Sequence, residues 1–583
     1  MSDPPAAAPS RPLVRWSCLA APILALVVVA GAVAIRHVAA ERTLYEADHV
    51  AYWSLTRSLA ESLGRSAWGA AVEISASVNR ELNLLPSVPL APAVGLGGGT
   101  RTAYLLSVIV IYALPALLLL AVVVGRLADE PRAGRLAGWG AAAAVLLLPA
   151  WWQPVALGYL DVGGVAIAAL VLLAWLAAGG RRRSLVRWLA MGFLLALLAI
   201  FRRWWAFWSV AWCAVIALEA LWLLLTLRPW TWRAAARVLR GPSVAAAAAA
   251  ATLLAIAPGR VGAILGTDWA DYLVAYKRHA GIGGELAEAV GRWGLLPLAL
   301  LALSVAAGLA SRRTRRPVAM LSVQAGLIFA FFRRWQDPSP QHWYLYLPAL
   351  VVLLGLLLAR TAAALRRPAA RAAWIAVVTL CGVAVSATVL SDQPREGLWG
   401  RLAPGIRIRP AVRHDLDEVR RLLAHLDQRL AVAPGWVYVL AVGGPLTDTG
   451  LGFANLSLGT EFASPGFVLS SAHVDRRDGF PDNLLRARYI VLPEPVQAPQ
   501  PPVHARVAAE PARCLLEGEG IGRAFRRGRE VFLFDGGVRA SVWDLARPLT
   551  ADDNAALSAR LRVYYPDRPD IWEPPAIGGE PGG

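Results

Sequence analysis

Long apolar runs, most of them followed by a short group of arginines, dominate the first 390 residues. The first extends from Trp16 to Ile35, and others follow over Thr102–Val124, Leu136–Ala150, Val162–Ala178, Trp188–Phe201 and Ala206–Leu227. Five more occupy Ser243–Ala257, Trp293–Ala310, Val318–Phe332, Trp343–Ala359 and Ala372–Leu390. A helix needs roughly 20 apolar residues to cross a bilayer, so the pattern predicts an α-helical polytopic membrane protein with about 11 transmembrane helices. The runs beginning at Trp188 and Val318 are short, and are expected to tilt, to thin the bilayer or to end inside a cavity.

Two stretches depart from this pattern. Residues 36–101 form a long loop in which Ala51, Leu55, Leu59 and Leu63 recur every fourth residue while Arg57, Glu61 and Arg65 line another face. That spacing predicts an amphipathic helix, lying in the membrane interface or packed on its own protein. A second helical stretch over Trp68–Leu84 ends before Pro86, Pro89, Pro92 and Gly97-Gly98-Gly99. The tail, 391–583, is polar enough for a water-soluble domain. Helices are expected over Arg413–Leu430 and Cys514–Arg527, with short buried strands over Trp436–Val442, Tyr489–Leu492 and Val531–Phe534, which makes a small α/β domain. Pro493–Pro502 reads as a proline-rich loop and the last dozen residues as disordered.

Composition agrees: 57% of residues are hydrophobic and mean hydropathy is +0.49. A net charge of +18 would suit a nucleic-acid binder. The distribution excludes that partner, because the arginines cluster between apolar runs, as in loops that orient membrane helices. With a cytoplasmic N-terminus, the clusters after the second, fourth, sixth, eighth and tenth runs (Arg181 to Arg183 among them) all fall inside. The 36–101 loop, the turn at Asp161, the loop with Asp268 and Asp271, the Gln341-His342 segment and the tail then fall outside. The expected organisation is a membrane domain over 1–390 in the inner (plasma) membrane and an extracytoplasmic soluble domain over 391–583. The first run is close to a full span and is expected to be a retained anchor rather than a cleaved signal. Cys18, Cys213, Cys381 and Cys514 show no paired spacing, which argues against a disulfide framework or a zinc site.

Candidate chemistry concentrates on the outer side. Tyr45-Glu46-Ala47-Asp48-His49-Val50-Ala51-Tyr52-Trp53 places a carboxylate, Asp48, among aromatics just beyond the first span. Asp48 could act as a general base toward an acceptor hydroxyl or cap the helix that follows. His49 reads as a hydrogen-bonding residue rather than a metal ligand. Asp161, before Gly163-Gly164, is either a second acidic site group or a helix cap. Arg202-Arg203 and Arg333-Arg334 each precede a tryptophan and fall on the side where arginine is disfavoured. They suit bidentate phosphate binding, against the plainer reading of interfacial snorkelling. His342 suits a hydrogen bond to phosphate or sugar. His473, Asp475 and Asp478 form a polar loop without established metal-ligand spacing, and no nucleotide-binding or hydrolase motif is present.

With its many spans, long first outer loop and early acidic motif at Tyr45–Trp53, the chain resembles the GT-C superfamily, membrane glycosyltransferases that use polyprenyl-phosphate sugars. The family's first outer loop carries an Asp in a setting such as Asp-Glu-Ala-Tyr-Tyr; here Asp48 is followed by His49 instead. The resemblance implies that Asp48 is the catalytic base, that Asp161 matches the acidic group of the second outer loop, and that Arg202-Arg203 or Arg333-Arg334 hold the lipid phosphate.

The expected function is therefore transfer of a sugar from a polyprenyl-phosphate donor to a glycan, lipid or protein acceptor in the envelope. Asp48 and Asp161 would be catalytic, and His49, Tyr52, Arg202, Arg203, Arg333, Arg334 and His342 would bind substrate. No cofactor is required by this scheme; a divalent metal between Asp48 and Asp161 is an open alternative. The rival readings are a lipid-linked sugar transporter or flippase, which should show charges in mid-span and repeat-related broken helices, and a non-catalytic envelope scaffold.

Overall fold

The computed structural model describes residues 16–128, 130–178, 185–277, 281–391, 402–441, 443–498 and 500–574. Arg181 to Arg183, residues 575–583 and the side chain of His49 lie outside the described residues. The chain packs as two compact units, each drawn from three separate stretches of sequence.

The first unit comprises Met1–Ala39, Tyr52–Gly266 and His279–Arg409, and is a bundle of apolar helices. Among the described residues, seven helices are long and apolar enough to cross a membrane, or up to nine if two sharply bent pairs each count as one span. The expected count of eleven is not reached on this measure. Two apolar runs, now the helices Asp161–Ala177 and Leu185–Phe201, are too short to pass it. The short run at Val318 lies within a 21-residue helix, Arg315–Trp335, which carries its flanking arginines in its end turns.

The bent pairs have identifiable causes. Ala137–Leu147 turns by 80° into Pro149–Leu157, where Pro149 has no amide hydrogen to continue the ladder. Ile282–Trp293 turns by 100° into Leu295–Ala310 at Gly294, whose φ is +79° and whose Cβ position would fall on the backbone of residues 402–404. Inside Arg101–Leu127, a π-helical turn at Ile109–Ala113 interrupts the regular ladder. Tyr112, in that turn, donates its hydroxyl to the Pro86 carbonyl at 2.6 Å.

The second unit comprises Pro410–Gly583 together with Ala40–Ala51 and Thr267–Arg278. Packing thus departs from the expected boundary at 390, because two segments from the membrane half belong with the tail. Its five-stranded sheet has the order β2-β1-β3-β5-β4, with β1 Trp436–Val439, β2 Val468–Leu469, β3 Ala487–Glu494, β4 Phe525–Phe534 and β5 Val538–Leu545. β1 runs parallel to β2 and β3, and β5 runs antiparallel to β3 and β4. Successive residues alternate between two cores, as the pleat demands. Val437, Val439, Tyr489, Val491, Ala540 and Val542 face the helix Leu416–Val432. Tyr438, Ile490, Leu492 and Trp543 face the helices Arg506–Glu517 and Ala551–Arg562.

The helix expected over Cys514–Arg527 is corrected. It begins earlier, at Arg506, and stops at Glu517, followed by Gly518 in the left-handed region that favours glycine, and β4 has begun by Phe525.

The segment Ala40–Ala51 is bound into this unit by its own contacts. Arg42 forms a parallel bridge with Val412, the Arg42 amide donates to the Ala411 carbonyl at 2.9 Å, and the Arg413 amide donates to the Arg42 carbonyl at 2.7 Å. Leu44 is buried in the core beside the helix Leu416–Val432. Asp271, from the other segment, pairs with Arg476 and with Arg568 at 2.9 Å.

Candidate functional site

The first unit gathers several of the residues singled out in the sequence. Asp161 opens the helix Asp161–Ala178, and Arg202 directly follows the helix Leu185–Phe201. These elements approach closely because Gly163 and Gly164 carry no side chain. A Cβ on Gly163 would overlap the Phe201 ring and one on Gly164 would overlap the Trp205 indole. The close approach brings Arg202 Nη2 to 3.2 Å from Asp161 Oδ2, with the two side chains only 4% and 1% exposed. The Tyr52 ring, fully buried, lies with its centroid 4.7 Å from the Arg202 guanidinium. A buried charge pair persists only with such close partners around it.

Arg203 and the second arginine pair are more open. Arg203 contacts Glu81 at 2.6 Å and lies over the Trp204 ring at 4.5 Å. Arg333 pairs with the buried Glu285 at 3.4 Å and is 46% exposed. Arg334 is exposed and has no ion-pair partner among the described residues.

The two Arg-Arg-Trp motifs, 131 positions apart in the sequence, meet through aromatic rings. Trp204 lies 6.0 Å from Phe332 and 4.4 Å from His342. Phe207 lies 4.8 Å from Phe332 and 5.0 Å from Trp335. The sequence marked the arginines but not the aromatic plate that joins them. Nor did it mark Glu81 and Glu285 as their counter-ions, because neither stands in a motif.

His342 sits in the short 3₁₀ helix Pro340–Leu345. Its Nδ1 accepts from the Ser339 amide at 3.0 Å and lies 3.2 Å from Gln336 Nε2. An accepting Nδ1 leaves the proton on Nε2, and Nε2 is buried with no hydrogen-bond partner among the described residues. Burial, and after it the charges of Arg202, Arg203 and Arg292, push the His342 pKa well below the usual imidazole range. The ring is therefore a neutral N–H donor.

Nearby, Arg260 is buried and donates to the backbone carbonyls of Ile200 at 2.8 Å and Arg80 at 2.6 Å. It locks the end of the Leu185–Phe201 helix in place. This lone arginine had no sequence signal beyond the Pro258-Gly259 break before it.

Asp48 lies in the first turn of the helix Ala47–Arg65 and belongs by packing to the second unit. It is half-buried. It stands inside the helix rather than at its cap, where a carboxylate is favoured by the positive end of the helix dipole. Asp161 is likewise the first helical residue and not the residue before it. Glu46, just before the Ala47–Arg65 helix, accepts from the Thr447 hydroxyl at 3.1 Å. Among the described residues, no group of three or more His, Cys, Asp or Glu is arranged to hold a metal ion.

The arrangement around the aromatic plate offers guanidiniums of graded exposure, a neutral N–H donor and apolar surface. Planar guanidiniums bind oxyanions in bidentate fashion. A phosphate attached to an apolar chain fits that chemistry.

No family model and no curated protein matches the chain. Among solved structures, ArnT from Cupriavidus metallidurans bound to undecaprenyl phosphate matches with a TM-score of 0.50 at 15% identity, over 91% of this chain and 98% of that one. The apo state of the same protein gives 0.49 at 15% identity, over 91% and 98%. The oligosaccharyltransferase AglB from Archaeoglobus fulgidus, in complex with an inhibitory peptide and a dolichol-phosphate, gives 0.40 at 13% identity, over 81% of this chain and 69% of that one. Helix order, the appended sheet domain and the match to ArnT together show that this multi-pass membrane chain shares the overall fold of that protein.

Proposed function

We propose that the protein transfers a sugar from a polyprenyl-phosphate donor to an envelope glycan, lipid or protein on the extracytoplasmic face of the plasma membrane. The observation that carries this reading is the meeting of the two Arg-Arg-Trp motifs on one aromatic plate, beside the free Nε2–H of His342.

In this scheme Asp48 takes the proton of the acceptor hydroxyl as that oxygen forms a bond to the anomeric carbon of the sugar. The bond from the anomeric carbon to the phosphate oxygen breaks, and its electron pair leaves with the polyprenyl phosphate. Arg203, Arg333 and Arg334 receive the charge, and His342 Nε2–H donates to a phosphate oxygen. Asp161, Arg202 and Tyr52 are buried against one another, so here they are positioning residues that fix the Trp204 end of the plate. That replaces the catalytic role expected for Asp161 and the direct phosphate contact expected for Arg202. The donor is already activated, so the scheme needs no metal.

Mass spectrometry of envelope glycans and lipid-linked sugars, with and without the gene, tests the reading. Loss of one sugar from the envelope with build-up of its lipid carrier supports it. Unchanged glycans and carriers would refute it.

A further inference from the structure

The second unit holds a cavity of about 490 Å³, lined by Arg42, Arg413, Arg420, Glu41, Asp417 and Tyr45 among others. That volume lies in the range of small-ligand sites, about 300–1,000 Å³. Its walls are polar, and its charges are unevenly satisfied.

Both carboxylates in the lining are already engaged. Glu41 accepts from the Tyr45 hydroxyl at 2.9 Å, and Asp417 accepts from Arg420 Nη1 at 2.8 Å. Arg413 is held by both oxygens of Asp415, at 2.8 and 2.9 Å. Arg42 is exposed and its guanidinium has no ion-pair partner among the described residues. The 17-residue helix Leu416–Val432 starts at the cavity wall and has no side-chain cap on its first amides. Asp417 and Glu418 in its first turn offset its positive end, so the guanidiniums supply the positive charge of the cavity. The three arginines of the lining outnumber its two carboxylates, so an anion gains from Arg42, Arg413 and Arg420, whereas a cation would have to compete with Arg420 and Tyr45 for the acids. Hydroxyls of Thr43 and Ser457 in the same lining suit a polyhydroxyl ligand.

We infer that this cavity binds the anionic group of a saccharide, a phosphate or a carboxylate on a sugar ring. The inference rests on the transferase reading for one step only: it makes that anionic saccharide part of the acceptor. The lining segment Glu41–Tyr45 leads directly into the helix that carries Asp48, so recognition of the acceptor and placement of the base would share one stretch of chain.

Isothermal titration of the purified full-length protein in detergent tests the site. The probes are glucuronate, glucose 6-phosphate, glucose and inorganic phosphate. We expect at least one of the two sugar anions to bind, glucose to bind at least tenfold more weakly, and the double variant Arg42→Gln/Arg420→Gln to lose at least tenfold in affinity for the anion that binds. Which sugar anion binds distinguishes a carboxylated from a phosphorylated ligand. Arg42 is exposed and Arg420 half-buried, and unchanged affinity of the double variant for undecaprenyl phosphate confirms that it is folded. Glucose binding as tightly as either anion, inorganic phosphate binding as tightly as glucose 6-phosphate, no probe binding, or a double variant of unchanged affinity would each overturn the inference. If a sugar anion binds but no sugar is transferred in cells, the cavity stands and the transferase reading falls. If transfer occurs without binding, the reverse holds.

Discussion

Arg202 Nη2 lies 3.2 Å from Asp161 Oδ2, with both side chains almost fully buried. The pair ties the start of one apolar helix to the end of the next and presents a flat guanidinium to the Tyr52 ring. Removing one member of such a pair takes the counter-ion from a charge in a poorly solvated place.

Asp161→Asn should therefore cost about 3–5 kcal/mol of stability, and Asp161→Asn/Arg202→Gln should recover much of it. Thermal unfolding of the purified variants in detergent checks both. Equal stability of the single variant and the parent would remove the structural role assigned to the pair.

The glycines next to Asp161 make the pair geometrically accessible. Gly164→Val places a branched side chain against Trp205, so the helices must separate. Overpacking of this kind costs about 1–3 kcal/mol. It should also lower affinity for a lipid phosphate, because Trp204 moves with Arg202. A variant that binds undecaprenyl phosphate as the parent does would show that the plate is not coupled to this contact.

His342 makes a pH prediction of definite sign. Its folded pKa lies well below the ordinary value near 6.5, so the unfolded chain binds the extra proton first as pH falls. Its contribution to stability is constant above about pH 7 and is lost as pH drops from about 6.5 toward the folded pKa. His342→Gln should remove that part of the pH dependence while keeping a donor. Parallel melting curves between pH 5 and pH 8 test this; identical slopes for parent and variant would contradict the assignment of a neutral ring.

Asp48→Asn keeps size and polarity but removes the basic oxygen. Transfer should fall by about 10²–10⁴-fold, the usual range for a lost general base. Affinity for undecaprenyl phosphate should not change. Full activity in this variant would take Asp48 out of the reaction.

Much of this was legible in the sequence. The apolar runs marked the helices because a bilayer forces the backbone to satisfy itself within each segment. The doubled arginines stood out because charge at such positions is costly. What the sequence could not reveal depended on distant pairing. Nothing local ties Leu44 to the core around Val419 and Leu446, or Asp271 to Arg568. Strand β4 was misread over its first residues because Arg526, Arg527, Arg529 and Glu530 mask its alternation. Its pairing with β5 decides the matter. The bends at Pro149 and Gly294 fall at the ends of the apolar runs Leu136–Ala150 and Trp293–Ala310, and no spacing marked the helices on their far sides, Pro149–Leu157 and Ile282–Trp293. Trp204 and Phe332 form one plate through helix packing that no spacing rule encodes.

The central claim is that the two Arg-Arg-Trp motifs grip a phosphate carried on an apolar chain. The most direct test compares the affinity of the full-length protein in detergent for undecaprenyl phosphate and for undecaprenol, in the parent and in Arg203→Gln/Arg334→Gln. The account expects the parent to bind the phosphate at least tenfold more tightly than the alcohol, and the variant to lose that preference. Equal binding of the two lipids by the parent, or an undiminished preference in the variant, would contradict it.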